Sequence, residues 1–423
     1  RSFKPIVENV KNLERLNKSL KKKIELWQTL FYFIQTNPIY LTKLFNSIPY
    51  TKNQTKSGQD LFQSVIQLFP VRDSSITYHS REEYFLVKLM IQLMQNDTAN
   101  SNNLGDITKL HLTNWIDFFT NFNNHTFQRQ HLKALLGKFV IRIVDNEQVD
   151  FESDPIRIYN QIIDHEMKVY GRSEKSRDIS PQAAIQLPEV SNKFVGNLMS
   201  LRETCSDLLS MLQKNASGNK ALLQIPDHVK LICRQGYLCA QRKFPNKSDQ
   251  QHLAVAGVIF VKHYLGSILQ VPENYGILTG NNDTQKAKSK DNLRYLYRVM
   301  LQLFSMKPFN DNFLKPLNEY IMASTDTVKS IISQAIIDVG EIETVYELHD
   351  YDDLVTHQRP KLTISVNSLI QLEKSILQNV DIITTGNDDQ LYKTCVEVEK
   401  LLISPQDMLT LTDLSSVDRK SVV

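Results

Sequence analysis

Residues 81–95 read REEYFLVKLMIQLMQ. Apolar side chains fall on nearly every face of this stretch when it is wound at 3.6 residues per turn, and a helix of that kind sits at the centre of a bundle. The same periodicity runs outward in both directions. Upstream, LWQTLFYFIQ starts at Leu26, and Thr36-Asn37-Pro38 then stops one helix and starts the next. Asn37 is a candidate cap and Pro38 suits a first helical turn. Tyr40, Leu41, Leu44 and Phe45 form the apolar stripe of that second helix, and after a polar loop at 51–60 (TKNQTKSGQD) Leu61, Val65, Ile66 and Leu68 form another. Downstream, NDTANSNNLGD (96–106) is read as a polar loop. Trp115, Phe118 and Phe119 mark the next helix, and Leu132, Leu135, Leu136, Phe139 and Ile143 share one face of the helix after it.

Ser153-Asp154-Pro155 and Ser180-Pro181 are helix starts. Amphipathic patterns follow at 187–214, 226–241, 249–265, 291–304 and 313–338, then at 366–379 and 389–402, the last two separated by the loop TTGNDDQ. KLTISV at 361–366 favours a short extended piece, and the tail from Ser404 has weak periodicity. No repeat of solenoid period is present. Only 13 glycines occur in 423 residues. Folds rich in strands and tight turns consume more. The expected fold class is all-α, a multi-helix domain with short connections.

Composition excludes several functions. A formal charge of +3 lacks the basic excess of a phosphate-tracking surface, so no nucleic acid is expected. Lys18, Lys21, Lys22 and Lys23 read mostly as a solvated helix face. Cys205, Cys233, Cys239 and Cys395 form no CxxC pair and have no histidine at finger spacing, so no metal is expected. Few thiols in a long chain point to a reducing, cytoplasmic compartment. The opening residues, RSFKPIVENV, lack a signal-peptide core, and a start on arginine reads as a piece of a longer protein. Leu253–Val271 resembles a membrane span at first sight, but Lys262 and His263 in its middle favour a buried core helix. Phosphate-loop, zinc-protease, nucleophile-elbow and dinucleotide motifs are absent. The pairs at Asp352-Asp353 and Asp388-Asp389 lack the glycine and spacing of a calcium loop. No cofactor is expected.

Four stretches carry a family resemblance. They are LFYFIQTNPIYLTKLF near the start, REEYFLVKLMIQLMQ at 81–95, SDPIRIYNQII at 153–163 with ISPQAAIQLPEV after it, and DYDDLVTHQRPKLTISVNSLI at 350–370. In this order and at these intervals they resemble the GTPase-activating-protein-related domain of the IQGAP family, and the Asn-rich loops resemble a fungal member. The likeness spans roughly 24–380. It implies a Ras-activator-like helical domain over 1–345, with its central part at about 81–310, family-specific helices over 346–403 packed on it, and a weakly ordered tail over 404–423. It also implies binding of a small GTPase of the Rho or Ras group, usually GTP-bound. Actin and calmodulin would be engaged by other regions of the parent protein. The implied setting is the cytoplasm, at the cell cortex, division site or contractile actomyosin ring.

The family comparison also defines what is missing. Active Ras-type activators supply an arginine that stabilises charge on the transferring phosphoryl group, at roughly 10³–10⁵ in rate. That finger follows a Leu-Phe pair, and here the position holds Ile91 or Gln92, where IQGAP members typically carry threonine. A second arginine braces the finger loop. The matching stretch, FVKHYLGSIL, puts His263 at the brace, with Gly266-Ser267 in place of Asn-Pro. A neutral imidazole has no guanidinium fork. No catalytic residue is therefore assigned, and the domain is expected to be inactive as an activator. Lys88, Gln92, Lys262, His263, Asn292 and Arg298 are the expected GTPase-binding residues, the last two from NLRYLYRVM. Each has a plainer role as well: Gln92 lining a helix end, His263 as a core histidine, Lys262 reaching solvent, Arg298 in a surface ion pair. Two other functions stay open, an active GTPase activator that uses Lys88, Lys262 or a distant arginine as a non-standard finger, and a helical spacer.

Overall fold

A computed structural model describes residues 4–48, 56–70, 81–216, 224–278, 283–347 and 362–401. All regular structure among them is helical, and KLTISV forms no strand at its described positions, 362–366, the last of which opens a helix. The tail from Ser404, Asp352-Asp353 and all of 350–361 lie outside the described residues. The chain groups into two compact units, residues 1–96 with 348–423, and residues 97–347. This grouping differs from a cut at 345, because residues 1–96 join the C-terminal segment.

The first unit opens with α1 (Lys4–Thr36), α2 (Pro38–Ser47) and α3 (Lys56–Ile66), and most of α4 (Arg81–Ala99) belongs to it. Asn37 makes no side-chain cap bond, so the fixed φ of Pro38 is what starts α2. The polar stretch at 51–60 is shorter as a loop than expected, since α3 begins at Lys56. α4 likewise runs on to Ala99, where Asp97 and Thr98 are buried although the residues are polar.

The second unit contains α5 (Trp115–Asn123), α6 (Thr126–Asp145), α7 (Pro155–Tyr170), α8 (Pro181–Gln186), α9 (Pro188–Ala216), α10 (Asp227–Lys243), α11 (Asp249–Phe260), α12 (Gly266–Gln270), α13 (Asp283–Ser305), α14 (Asn318–Ala323), α15 (Thr325–Ile331) and α16 (Ile342–Val345). Its core is α11, which packs along α10 and against α13. Leu253, Val255, Ala256, Ile259 and Phe260 are all buried. Asp249–Gln270 is the one described stretch long and apolar enough to cross a membrane, and most of it is buried inside the protein, as a core helix. The helix starts follow the sequence signals. Asp154 accepts a bond from Ile156 N, Ser180 from Ala183 N, and Ser248 and Gln251 form a capping box. The helix expected over 313–338 is broken, because Pro316 cannot sit inside an α-helix and the regular turns restart at Asn318.

The chain returns to the first unit with α17 (Val366–Gln378), α18 (Val380–Ile383) and α19 (Gln390–Lys400). They pair with α3, α2 and α1 in that order. Lys23, expected on a solvated face, is buried there instead. Its Nζ donates to Glu373 Oε1 at 3.1 Å, Leu401 O at 2.8 Å and Val398 O at 3.2 Å. Lys18, Lys21 and Lys22 are exposed as expected.

Candidate functional site

In the first unit, α4 passes unbroken through Ile91 and Gln92. Both are half-buried, between buried Met90 and Leu93. A side chain in mid-helix leaves the axis radially on a backbone fixed by its i to i−4 bonds. It cannot be carried outward as a residue at a loop apex can. Neither position carries a cation. Lys88, one turn earlier, is folded back on its own helix, with Nζ 3.0 Å from Tyr84 Oη and 5.4 Å from the centre of that ring.

In the second unit, α11 loosens at Val261 into a single turn of π-helix, Val261–Leu265, before α12 resumes. Such turns interrupt regular side-chain spacing and are frequent at functional sites. Here the turn lets adjacent residues reach one acceptor. Lys262 Nζ lies 3.3 Å and His263 Nε2 3.1 Å from the carbonyl oxygen of Thr108. A carbonyl only accepts, so His263 carries its proton on Nε2. The edge of Trp115 meets the imidazole at 5.7 Å between ring centres. Burial pushes the His263 pKa down to about 4, and the imidazole is neutral at pH 7. Burial also lowers Lys262, and the ammonium of Lys109 adds to the shift.

Thr108 closes a short 3₁₀ turn, Leu104–Thr108, followed by another at Leu110–Leu112. The segment is pinned repeatedly. Asp106 accepts from the backbone N–H groups of Asn102 and Asn103 and from Lys109 Nζ at 3.0 Å. Trp115 Nε1 donates to Ile107 O at 3.2 Å. Asp97 Oδ2 accepts from Asn114 N at 2.7 Å, where α5 begins, and burial still raises that carboxyl to about 6. Sequence reading treated the first part of this segment as linker. Its only advance signal was the capping pattern Asn103-Leu104-Gly105-Asp106.

Asn292 and Arg298 are engaged within the second unit. Asn292 is 3% exposed. It accepts from Phe151 N and donates to Val149 O, both at 2.9 Å. Both ends of its amide are thus occupied in holding residues 149–151. Arg298 is half-exposed, paired with Asp311 at 2.9 Å and lying over the Phe309 ring. A residue that sequence reading passed over, Glu152, is buried between these elements. It accepts from Ser153 N, Asp154 N, Arg157 and Tyr295 Oη, and Asn197 donates to its backbone oxygen. The SDPIRIY stretch is therefore the anchor of a buried polar network, since a carboxylate at this depth must be fully bonded.

Comparison with known proteins agrees with this architecture. The model of the family described as GTPase-activator protein for Ras-like GTPase matches residues 89–305. The Ras GTPase-activating-like protein IQG1 of Candida albicans is 99% identical over 417 residues, which is 99% of this chain and 25% of that protein. The human Ras GTPase-activating-like protein IQGAP2 is 24% identical, over 91% of this chain and 24% of its own length. The Ras GTPase-activating-like protein rng2 of Schizosaccharomyces pombe is 25% identical, over 88% and 24%. The chain spans about a quarter of the length of these relatives.

Proposed function

The chain belongs to the family of GTPase activators for Ras-like GTPases, among its IQGAP-type members, and from that premise we propose that it grips a GTP-loaded small GTPase of the Rho or Ras group without accelerating hydrolysis. One observation carries this reading. The residues assigned here to the finger, Ile91 or Gln92, are uncharged, and the helix that carries them, Arg81–Ala99, is continuous. A trans-acting activator works by placing positive charge against the transferring phosphoryl group, at roughly 10³–10⁵ in rate. Neither residue can supply that charge. The neutral, carbonyl-bound imidazole of His263 supports the same reading, because it supplies no guanidinium at the brace. In the parent protein the domain would serve a scaffold at the cortex or division site, with actin and calmodulin bound by regions outside this chain.

The test is single-turnover GTP hydrolysis by a panel of Rho and Ras GTPases with and without the domain, beside binding measured in the GDP and GTP states. Binding that prefers the GTP state, with hydrolysis unchanged within a few-fold, is the expected result. Acceleration of a hundredfold or more by any member of the panel would make the domain an activator with a non-standard finger. Absence of nucleotide-dependent binding across the panel would leave it a spacer.

A further inference from the structure

We propose that the outward face of α1 is a contact for an anionic lipid surface, made by Arg15, Lys18, Lys21 and Lys22 with Tyr32 and Ile24 beside them. The inward side of α1 holds the helix against rolling. Lys23 Nζ and Trp27 Nε1 both donate to Glu373 of α17, and Leu30, Phe31 and Ile34 are buried. At about 100° per residue the opposite side then presents Lys18, Lys21, Glu25, Gln28 and Tyr32 along one line. Arg15 and Lys22 flank that line on one side and Ile24 on the other. All of these residues are exposed, Tyr32 to 56% and Ile24 to 41%. From Lys18 to Tyr32 the line runs about 21 Å at 1.5 Å per residue. One fixed helix thus sets cations at one end of an open face and an amphipathic ring at the other. None of the residues assigned to GTPase docking lies on α1, so this contact is independent of that reading.

Charge identifies the chemistry of the occupant. Against four cations, the described part of the face holds a single carboxylate, Glu25. Among the described residues no carboxylate is paired with Lys18, Lys21 or Lys22. Glu397 of neighbouring α19 lies near enough to feel Lys22, but Lys400 holds it at 2.9 Å and is the larger cause of its lowered pKa. A lysine ammonium is a compact charge on a flexible stem, without the fork by which arginine clasps one carboxylate. Three lysines on an open face therefore suit many mobile headgroups better than a few fixed carboxylates of a protein. Each such charge strengthens attachment to an anionic membrane by about fivefold. Tyrosine favours the headgroup level, where its ring meets apolar chains and its hydroxyl meets water. A nucleic acid fits less well, because the chain as a whole carries only +3.

The experiment is cosedimentation of the whole chain with vesicles of phosphatidylcholine alone and of phosphatidylcholine mixed with phosphatidylserine. Two variants remove the same charge from different places. One combines Lys18→Gln, Lys21→Gln and Lys22→Gln. The control combines Lys168→Gln, Lys247→Gln and Lys307→Gln, at exposed lysines of the second unit. Thermal melts establish folding, and Lys18→Gln with Lys21→Gln keeps the test if the triple variant melts early, since it leaves Lys22 beside Glu397. The expected outcome is wild-type binding to the mixed vesicles alone, weakened by salt, with a loss of about tenfold or more for the α1 variant and under about threefold for the control. Equal losses in the two variants would overturn the assignment, because net charge rather than this face would then govern binding. A wild type that stays in the supernatant with mixed vesicles would overturn it as well. Tighter binding of single-stranded RNA than of mixed vesicles, through the same three lysines, would overturn it in favour of a nucleic acid.

Discussion

His263 couples folding to pH through the burial that keeps it neutral. Its pKa falls from about 6.5 to about 4 in the folded chain. The unfolded chain therefore takes up a proton first as pH falls. The stability His263 contributes is complete above about pH 6.5 and is lost as pH falls through about 4. His263→Gln keeps a donor for Thr108 O and removes the titration. Urea melts at pH 7 and pH 4.5 should show the variant losing less stability on acidification than the wild type, by about 1–3 kcal/mol. An equal loss in both proteins would place the imidazole in water. Asp97 and Asp117 act in the opposite sense. Burial raises both to about 6, so their burial penalty is relieved below that pH and returns above it. Comparing single substitutions separates them from His263. Gln92→Arg combined with His263→Arg puts an arginine at each of the positions proposed for the finger and the brace. Because position 92 lies within a continuous helix, single-turnover hydrolysis with the double variant should stay within about tenfold of the GTPase alone. A rise of a hundredfold would mean that charge alone was missing. Individual residues also mark the limit of sequence reading here. The lack of charge at Ile91 and Gln92 was legible as residue type, whereas the grip of Lys262 and His263 on Thr108 was not, since those groups are distant in sequence and meet only through packing.

Helix starts were the most legible elements, because their signals are local. Asp154-Pro155, Ser180-Pro181 and the Ser248–Gln251 box all begin helices as their chemistry requires. Helix ends and interruptions were less so. The π-helical turn at Val261–Leu265 has no composition of its own. It lies where Gly266 admits the Tyr297 ring, which would stand 2.4 Å from an added Cβ. The crossing of α11 and α13 depends on a second such approach. A Cβ on Gly257 would lie 2.6 Å from the carbonyl oxygen of Phe304, a backbone atom with little freedom to yield. Gly257→Ala should therefore destabilise the chain by about 1–3 kcal/mol in denaturant melts, despite the higher helix propensity of alanine. A stabilised variant would show that the crossing is looser than this.

Across the whole chain, the first unit joins residues that are far apart in sequence. Lys23 and Trp27 of α1 both bond Glu373 of α17, and Tyr40 of α2 bonds Asp389. Removing one member of a buried ion pair leaves the other uncompensated, at about 3–5 kcal/mol. Glu373 is partly exposed, so Lys23→Ala should cost about 2–3 kcal/mol, below that range. Amide exchange should quicken in α19 as well as in α1, because the Lys23 ammonium also holds the Val398 and Leu401 carbonyls. Quickening confined to α1 would show that the two ends are held by other contacts. The sequence by itself determined the helical class, the starts at Asp154, Ser180 and Ser248, and the uncharged side chains of Ile91 and Gln92, since periodicity, capping chemistry and side-chain charge are local properties of the residues. Only the tertiary structure decided that Ile91 and Gln92 lie in an unbroken helix, that Lys23 is buried, that Asn292 holds residues 149–151, and that Lys262 and His263 meet at the Thr108 carbonyl. Each of these depends on which distant groups pack together and on how much water that packing excludes.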